Sequence, residues 1–302
     1  MADLSIEIAG VEFKNPVFVA SGTFGYGLEL IDTLPVGSLG AIVTKGLTIN
    51  PKEGNPPQRL VETPCGLINS IGLENIGIIE FIKSKLPDLR KLGTKIIVNI
   101  SGDSERDYFE AVEIADGTEG IDVIELNVSC PNVEKGGMEF GRNPQMLENL
   151  VSGVRERTRK SLWVKITPNF VDIVEEARAA VNGGADAISA INTLLGMHVD
   201  VRSGKFTIHR KFGGLSGPAI RPVALYVVWK LVQSVEVPVI AIGGIDSLDA
   251  ALQFLFVGAK AIQIGTANFV DPRTPFRIIK ELKEYLESNE YQSISEITGI
   301  LR

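Results

Sequence analysis

VIELNVSCPN, residues 123 to 132, starts as an apolar run and ends in amide, hydroxyl and thiol groups. Val123, Ile124 and Leu126 have the character of a buried strand. Asn127, Ser129, Cys130 and Asn132 then crowd polar and reactive side chains together, and Pro131 stiffens the exit. Packing alone gives no reason to gather such groups where a strand stops, so function is to be sought at that edge.

Seven further apolar, β-branched runs recur along the 302 residues, at 17–21, 41–45, 96–100, 162–167, 187–192, 239–243 and 261–265. Helix-like segments lie between most of them, with capping residues in place: Ser104 before Asp107, Asn143 before Pro144, Ser247 opening a helix that stops at Gly258, and Asp271 before Pro272. Strands that read as continuous apolar runs are buried on both faces, and helical crossovers between them imply parallel pairing. Eight such units predict an α/β fold, a (β/α)8 TIM barrel, as a single domain over residues 1–302. A doubly wound open sheet alternates in the same way but usually uses fewer strands, and Gly22, Gly25 and Gly27 do not make the dinucleotide fingerprint.

The opening LSIEIAGVEF alternates around Ala9-Gly10, which predicts a β-hairpin plugging the barrel bottom. The connections 46–75, 131–142 and 193–217 are too long for simple crossovers. They are read as long loops after strands 2, 4 and 6, on the face where barrel active sites form. VDVRSGKFTI, within the last of them, suggests a small hairpin of its own.

A hydrophobic content of 44% supplies a substantial core, and a net charge of −7 with interspersed signs argues against a nucleic-acid partner. Cys65 and Cys130 are the only cysteines, so neither a disulfide framework nor a four-cysteine cluster can be built. The N-terminus lacks a basic segment followed by an apolar one, and no run approaches the roughly 18 apolar residues of a membrane span. A soluble, cytoplasmic protein without a membrane partner is expected.

The strand ends carry Ser21, Lys45, Asn99, Asn127, Lys165, Asn192, Gly243-Gly244 and Gly265-Thr266, all predicted to converge on one mouth. Lysines at two strand ends suggest an anionic ligand, the alternative being side chains that snorkel to solvent. Glycines after strands 7 and 8 let backbone N–H groups approach a phosphate, and Gly217, just before a helix, adds that helix's N-terminal amides; the plainer alternative is tight turns. Cys130 is a base or nucleophile only as thiolate, against the alternative of a small core residue. Cys65 reads as structural or incidental, and His198 and His209 as surface residues. No metal site has credible ligand spacing.

Together these residues resemble the class 1 dihydroorotate dehydrogenases over essentially the whole chain. The resemblance is carried by NPVFVASGTFGYG (15–27), VTKGLT (43–48), GNPPQRLVETPCGLINSIGLEN (54–75), NVSCPN (127–132), VKITPN (164–169), AINTLLGM (190–197), GGLSGPAI (213–220), IGGI (242–245) and IGTA (264–267). KGGMEFGRNP and INTLLGM resemble the NAD-linked 1B subclass more than the fumarate-reducing 1A subclass. Class 2 enzymes carry a serine base and an N-terminal extension.

The resemblance implies FMN across the barrel mouth, held by Ser21, Lys45, Gly46, Asn99, Asn127, Lys165, Ile191, Gly217, Gly243, Gly244, Gly265 and Thr266. It implies dihydroorotate held by Lys45, Asn69, Ser70, Ile71, Gly72, Leu73, Asn127, Asn192 and Thr193, with Asn132 a further amide. Cys130 and Lys165 would be the catalytic residues of dihydroorotate oxidation to orotate in pyrimidine biosynthesis. Electrons would leave through a partner subunit carrying FAD and [2Fe-2S] to NAD, in a heterotetramer built on a homodimer. The alternatives are a 1A-like fumarate-reducing homodimer, a Schiff-base aldolase barrel using Lys165, and a phosphate-binding barrel without catalysis.

Overall fold

The computed structural model describes residues 2–128, 140–169 and 172–302. Eight parallel strands close a barrel in chain order: β1 (Val17–Val19), β2 (Ala41–Val43), β3 (Lys95–Ile100), β4 (Val123–Asn127), β5 (Ser161–Lys165), β6 (Ala187–Ala190), β7 (Val239–Ile242) and β8 (Ala261–Ile264). Strand β8 returns to β1 with Ile264 opposite Val19, so no edge remains. All eight expected strands are present. Ser104, Asn143 and Ser247 cap their helices as expected, Ser104 in a reciprocal capping box with Asp107.

Asp271 does not. It ends the short helix Ala267–Val270, and its carboxylate accepts the Arg273 N–H. Thr274 N–H closes a turn onto the Asp271 carbonyl, and the long helix begins only at Thr274–Ser288, with Pro275 in its first turn. Of two prolines three residues apart, the second takes the place where a missing N–H costs nothing.

Side chains alternate across a strand, so inward positions recur every second residue. At the bottom, all eight strands contribute to one apolar layer that includes Phe18, Ile97, Val123, Trp163 and Ile240. The antiparallel hairpin Ile6–Ile8 and Val11–Phe13 seals it, with the Phe13 ring 4.9 Å from Phe18 and 5.9 Å from Trp163. Two residues further along their strands, the inward positions become polar: Asn99, Glu125, Lys165, Ser189 and Gln263, all buried. The core is apolar at one end and hydrogen-bonding at the other.

Two segments expected as loops are instead strands of one sheet. Leu60–Thr63 and Gly66–Asn69, after β2, join Phe212–Ser216 and Leu194–Met197, after β6, in a four-stranded antiparallel sheet with Asn69 opposite Gly214. Val199–Asp200 and Lys205–Phe206 form the small hairpin expected there. The connection after β4 lies outside the described residues as far as 139 and ends in the short helical turn Phe140–Arg142. Among the described residues, no helix is long and apolar enough to cross a membrane.

Candidate active site

The polar layer is organised by Glu125, which is fully buried in β4. Its Oε1 accepts from Asn99 Nδ2 at 2.7 Å, and its Oε2 accepts from Ser189 Oγ at 2.7 Å and Gln263 Nε2 at 2.8 Å. Four strands thus meet at one carboxylate. An unpaired buried charge would be costly, and three donors are what make this one tolerable.

Lys165 ends β5, paired in register with Asn127 on one side and Ser189 on the other. Rather than snorkelling, it stays 6% exposed, and its Nζ donates to Ser21 Oγ at 3.1 Å. Burial pushes the ammonium below its ordinary value, and the charge of Glu125 opposes that shift. Asn99 is likewise buried. These two therefore form the floor of the mouth, below its rim.

Above the floor, Asn192 Nδ2 donates to Asn127 Oδ1 at 3.3 Å, and Thr193 N–H donates to Asn192 Oδ1 at 2.8 Å. Tyr108 holds the β4 end by donating to the Asn127 carbonyl at 2.7 Å. The sheet of the β2 and β6 connections brings in the run from Asn69 to Leu73. Asn69 Nδ2 donates to the Gly214 carbonyl, and Asn55 Nδ2 donates to the Ser70 carbonyl while the Asn55 N–H donates to that of Ile71. Gly72 and Leu73 both have positive φ, 76° and 56°, and turn the chain back toward Gly46. A Cβ on Gly46 would stand 3.6 Å from Leu73 Cδ2 and 3.0 Å from Asn99 Oδ1. Lys45 Nζ lies 3.9 Å from Glu74.

The glycines form a second cluster. Gly217 has φ +95°, and a Cβ there would meet Gly66 Cα at 2.8 Å and Thr266 Cγ2 at 3.4 Å; one on Gly244, with φ +69°, would meet the Gly217 carbonyl at 2.8 Å. The Ile191 side chain lies 3.7 Å from a Cβ position on Gly243, whereas a Cβ on Gly265 would meet only Ala20 and Thr23, at 3.7 and 3.9 Å. Thr266 Oγ1 donates to Ser216 Oγ at 2.7 Å. Only glycine permits so close an approach of three backbone turns, which leaves a cradle walled by main chain. The helix that follows contributes less than expected. Ala219 and Ile220 spend their N–H groups on the Cys65 and Gly217 carbonyls, so an anion bound here would rest on the glycine turns. Arg221 braces them, donating to the Gly244 carbonyl and pairing with Asp246.

Cys130, Asn132 and the rest of 129–139 lie outside the described residues. Cys65 is an exposed free thiol at the turn of the outer sheet. His209 is exposed, but His198 is half-buried and its ring Nδ1 pairs with Thr207 Oγ1 at 2.6 Å. No group of metal-ligating side chains occurs among the described residues. Sequence reasoning missed Glu125, Ser189, Gln263 and Ser216. The signal for two of them was a charge or an amide inside VIELN and IQIGT, where an apolar residue was due. At the opposite end, an open cavity of about 710 Å³ is lined by Glu7, Glu12, Lys14, Arg90 and Asp122. Its cations are already engaged: Lys14 by two backbone carbonyls, Arg90 by Glu119 and Lys95 by Asp122. None of the candidate residues is there.

The mouth fits a flavin nucleotide by its own chemistry: a main-chain cradle suited to a phosphate, a buried ammonium, and the buried Asn99 Oδ1, which has no partner among the described residues. The family described as dihydroorotate dehydrogenase matches residues 3–286. A protein of Geotalea uraniireducens (strain Rf4), named dihydroorotate dehydrogenase B (NAD(+)), catalytic subunit, is 50% identical over 299 residues, 99% of this chain and 98% of its own length. Proteins of the same name from Thermoanaerobacter pseudethanolicus and Thermodesulfovibrio yellowstonii are 48% and 49% identical, each covering 99% of both chains. At this identity over its full length, the chain belongs to the dihydroorotate dehydrogenase family.

Proposed function

We infer that this chain is the FMN-bearing catalytic subunit of an NAD-linked dihydroorotate dehydrogenase, oxidising (S)-dihydroorotate to orotate in pyrimidine biosynthesis. The observation that carries the reading is the floor of the mouth. There Lys165 donates to Ser21 at the end of the strand paired with Asn127, and Asn99 lies against Gly46, in the same barrel mouth as the glycine turns and the Asn192 amide. FMN, when bound, supplies the acceptor for the hydride leaving substrate C6.

This chain's residues do the remainder. Gly217, Gly243, Gly244, Gly265 and Thr266 hold the phosphate through main-chain donors and one hydroxyl. Ser21, Lys45, Gly46, Asn99, Asn127 and Ile191 seat the rest of the cofactor. Lys165 holds its charge in a site shielded from water, where a fixed cation opposes accumulating negative charge far better than solvent does. Asn69 through Leu73, Asn127, Asn192 and Thr193 present paired donors and acceptors to the ring amides and carboxylate of dihydroorotate, with Lys45 offsetting its charge. Cys130 Sγ, as thiolate, removes the C5 proton next to a carbonyl.

The relatives' name, catalytic subunit with NAD(+), supports a separate electron-transfer partner over fumarate reduction. That partner carries FAD and [2Fe-2S], in a heterotetramer built on a homodimer of this chain. The two cysteines here cannot hold such a cluster themselves.

The test is an absorption spectrum of the purified chain followed by anaerobic dihydroorotate. Flavin absorbance that bleaches on addition is expected, whereas a colourless protein, or colour indifferent to dihydroorotate, would refute the reading. NAD reduction should be weak for the chain alone and rise when the partner is added.

A further inference from the structure

The backbone of Asn99 is fixed on both sides: its N–H donates to Thr44 Oγ1 and its carbonyl accepts from Leu47 N–H. The side chain retains one choice, which end of its amide faces inward. Glu125 makes that choice. An ionised carboxylate only accepts, so the Asn99 NH2 must turn toward Glu125 Oε1 and its oxygen away. Gln263 is turned in the same way by Oε2, and both amide oxygens are buried without a partner among the described residues. Of the two, Asn99 Oδ1 lies against Gly46, 3.0 Å from where a Cβ on that residue would stand.

We propose that Glu125 is a positioning residue for the cofactor: by claiming the Asn99 NH2, it presents the Asn99 oxygen at the mouth as a fixed acceptor for a flavin N–H. A buried acceptor left without a donor is costly, and the flavin's imide supplies the donor it lacks. Glu125 touches neither cofactor nor substrate in this arrangement and works entirely through Asn99. The proposal rests on the FMN reading above, and the test separates the two.

The test is the FMN dissociation constant of the full chain, read by flavin fluorescence, for the wild type and three variants. In Glu125→Gln, the new amide offers its oxygen to the Ser189 and Gln263 donors and its NH2 to Asn99. Asn99 then reverses and presents NH2 to the flavin, and affinity should fall by about tenfold. In the double variant Asn99→Asp with Glu125→Gln, the carboxylate introduced on β3 accepts from the amide introduced on β4 with one oxygen and offers its other oxygen to the mouth. Most of the affinity should return, a rescue that damage to packing would not produce. Asn99→Leu, which removes the acceptor itself while Glu125 keeps its Ser189 and Gln263 donors, should lose as much as Glu125→Gln.

Wild-type affinity in Glu125→Gln, or a double variant no better than the single, overturns the proposal. So does undiminished binding by Asn99→Leu, even if Glu125→Gln does not fold. A wild-type chain that binds no FMN would instead refute the functional reading.

Discussion

Asn169 ties the end of β5 to the β6 connection: its Nδ2 donates to the Thr193 carbonyl at 2.8 Å and to Thr167 Oγ1 at 2.9 Å, while its Oδ1 accepts from Leu195 N–H at 2.9 Å. Both ends of this amide hold a piece of backbone next to Asn192 and Thr193. Asn169→Ala should raise KM for dihydroorotate by about tenfold, the equivalent of one or two lost hydrogen bonds. The flavin spectrum should be unchanged. Steady-state kinetics with an artificial acceptor will show whether KM moves before kcat.

Lys165→Met keeps the length of the side chain and removes its charge. Loss of one preorganised electrostatic contact typically costs about 10²–10³ in kcat, and that fall is expected with FMN still bound. Single-turnover bleaching by dihydroorotate measures it directly.

Cys130→Ser should retain the flavin colour and lose most turnover at neutral pH, because a hydroxyl is a far poorer base than a thiol whose ordinary value is near 8.5. A pH series of kcat would reveal the replacement as a shift of the rising limb to higher pH.

Gly244→Ala forces a Cβ to within 2.8 Å of the Gly217 carbonyl at a φ of +69°. Both the left-handed backbone and the cradle oppose it. The purified variant should carry much less than one FMN per chain, countable by absorbance against protein concentration.

Glu176 lies under the end of the β4 connection, accepting from Thr167 N–H through Oε1, while Oε2 has no partner among the described residues. Burial pushes its carboxyl up to about 8 from 4.5, against the pull of the Thr167 N–H. Between these values the folded chain holds a proton that the unfolded chain has released. Stability therefore falls as pH rises through this window and levels off above about 8. Glu176→Gln should flatten that dependence, matching the wild type near pH 4.5 and exceeding it at pH 8; urea midpoints at a series of pH values are the check.

The barrel was readable because the strands are mostly apolar runs and most helices open on a capping side chain such as Ser104 or Asn143. The strand-end residues followed from the same reading. The outer sheet was not readable: Asn69 pairs with Gly214, and neither LINS nor GGLSG carries a pattern that announces a partner so distant in sequence. Glu125 escaped for a related reason. Its importance lies in donors from three other strands, and only closing the barrel brings Asn99, Ser189 and Gln263 to it. Asp271 was misread because PRTP offers two prolines, and choosing between them takes the geometry of the turn.

The outer sheet also bears on how this scaffold can be re-engineered. Gly66–Asn69 and Phe212–Ser216 share a ladder, so the two longest insertions on the rim form one transplantable part. Grafting either alone onto another barrel strands its hydrogen-bonding edge, and sliding one against the other by a single residue turns Asn69 outward. New specificities built on this rim will have to be designed as a matched pair.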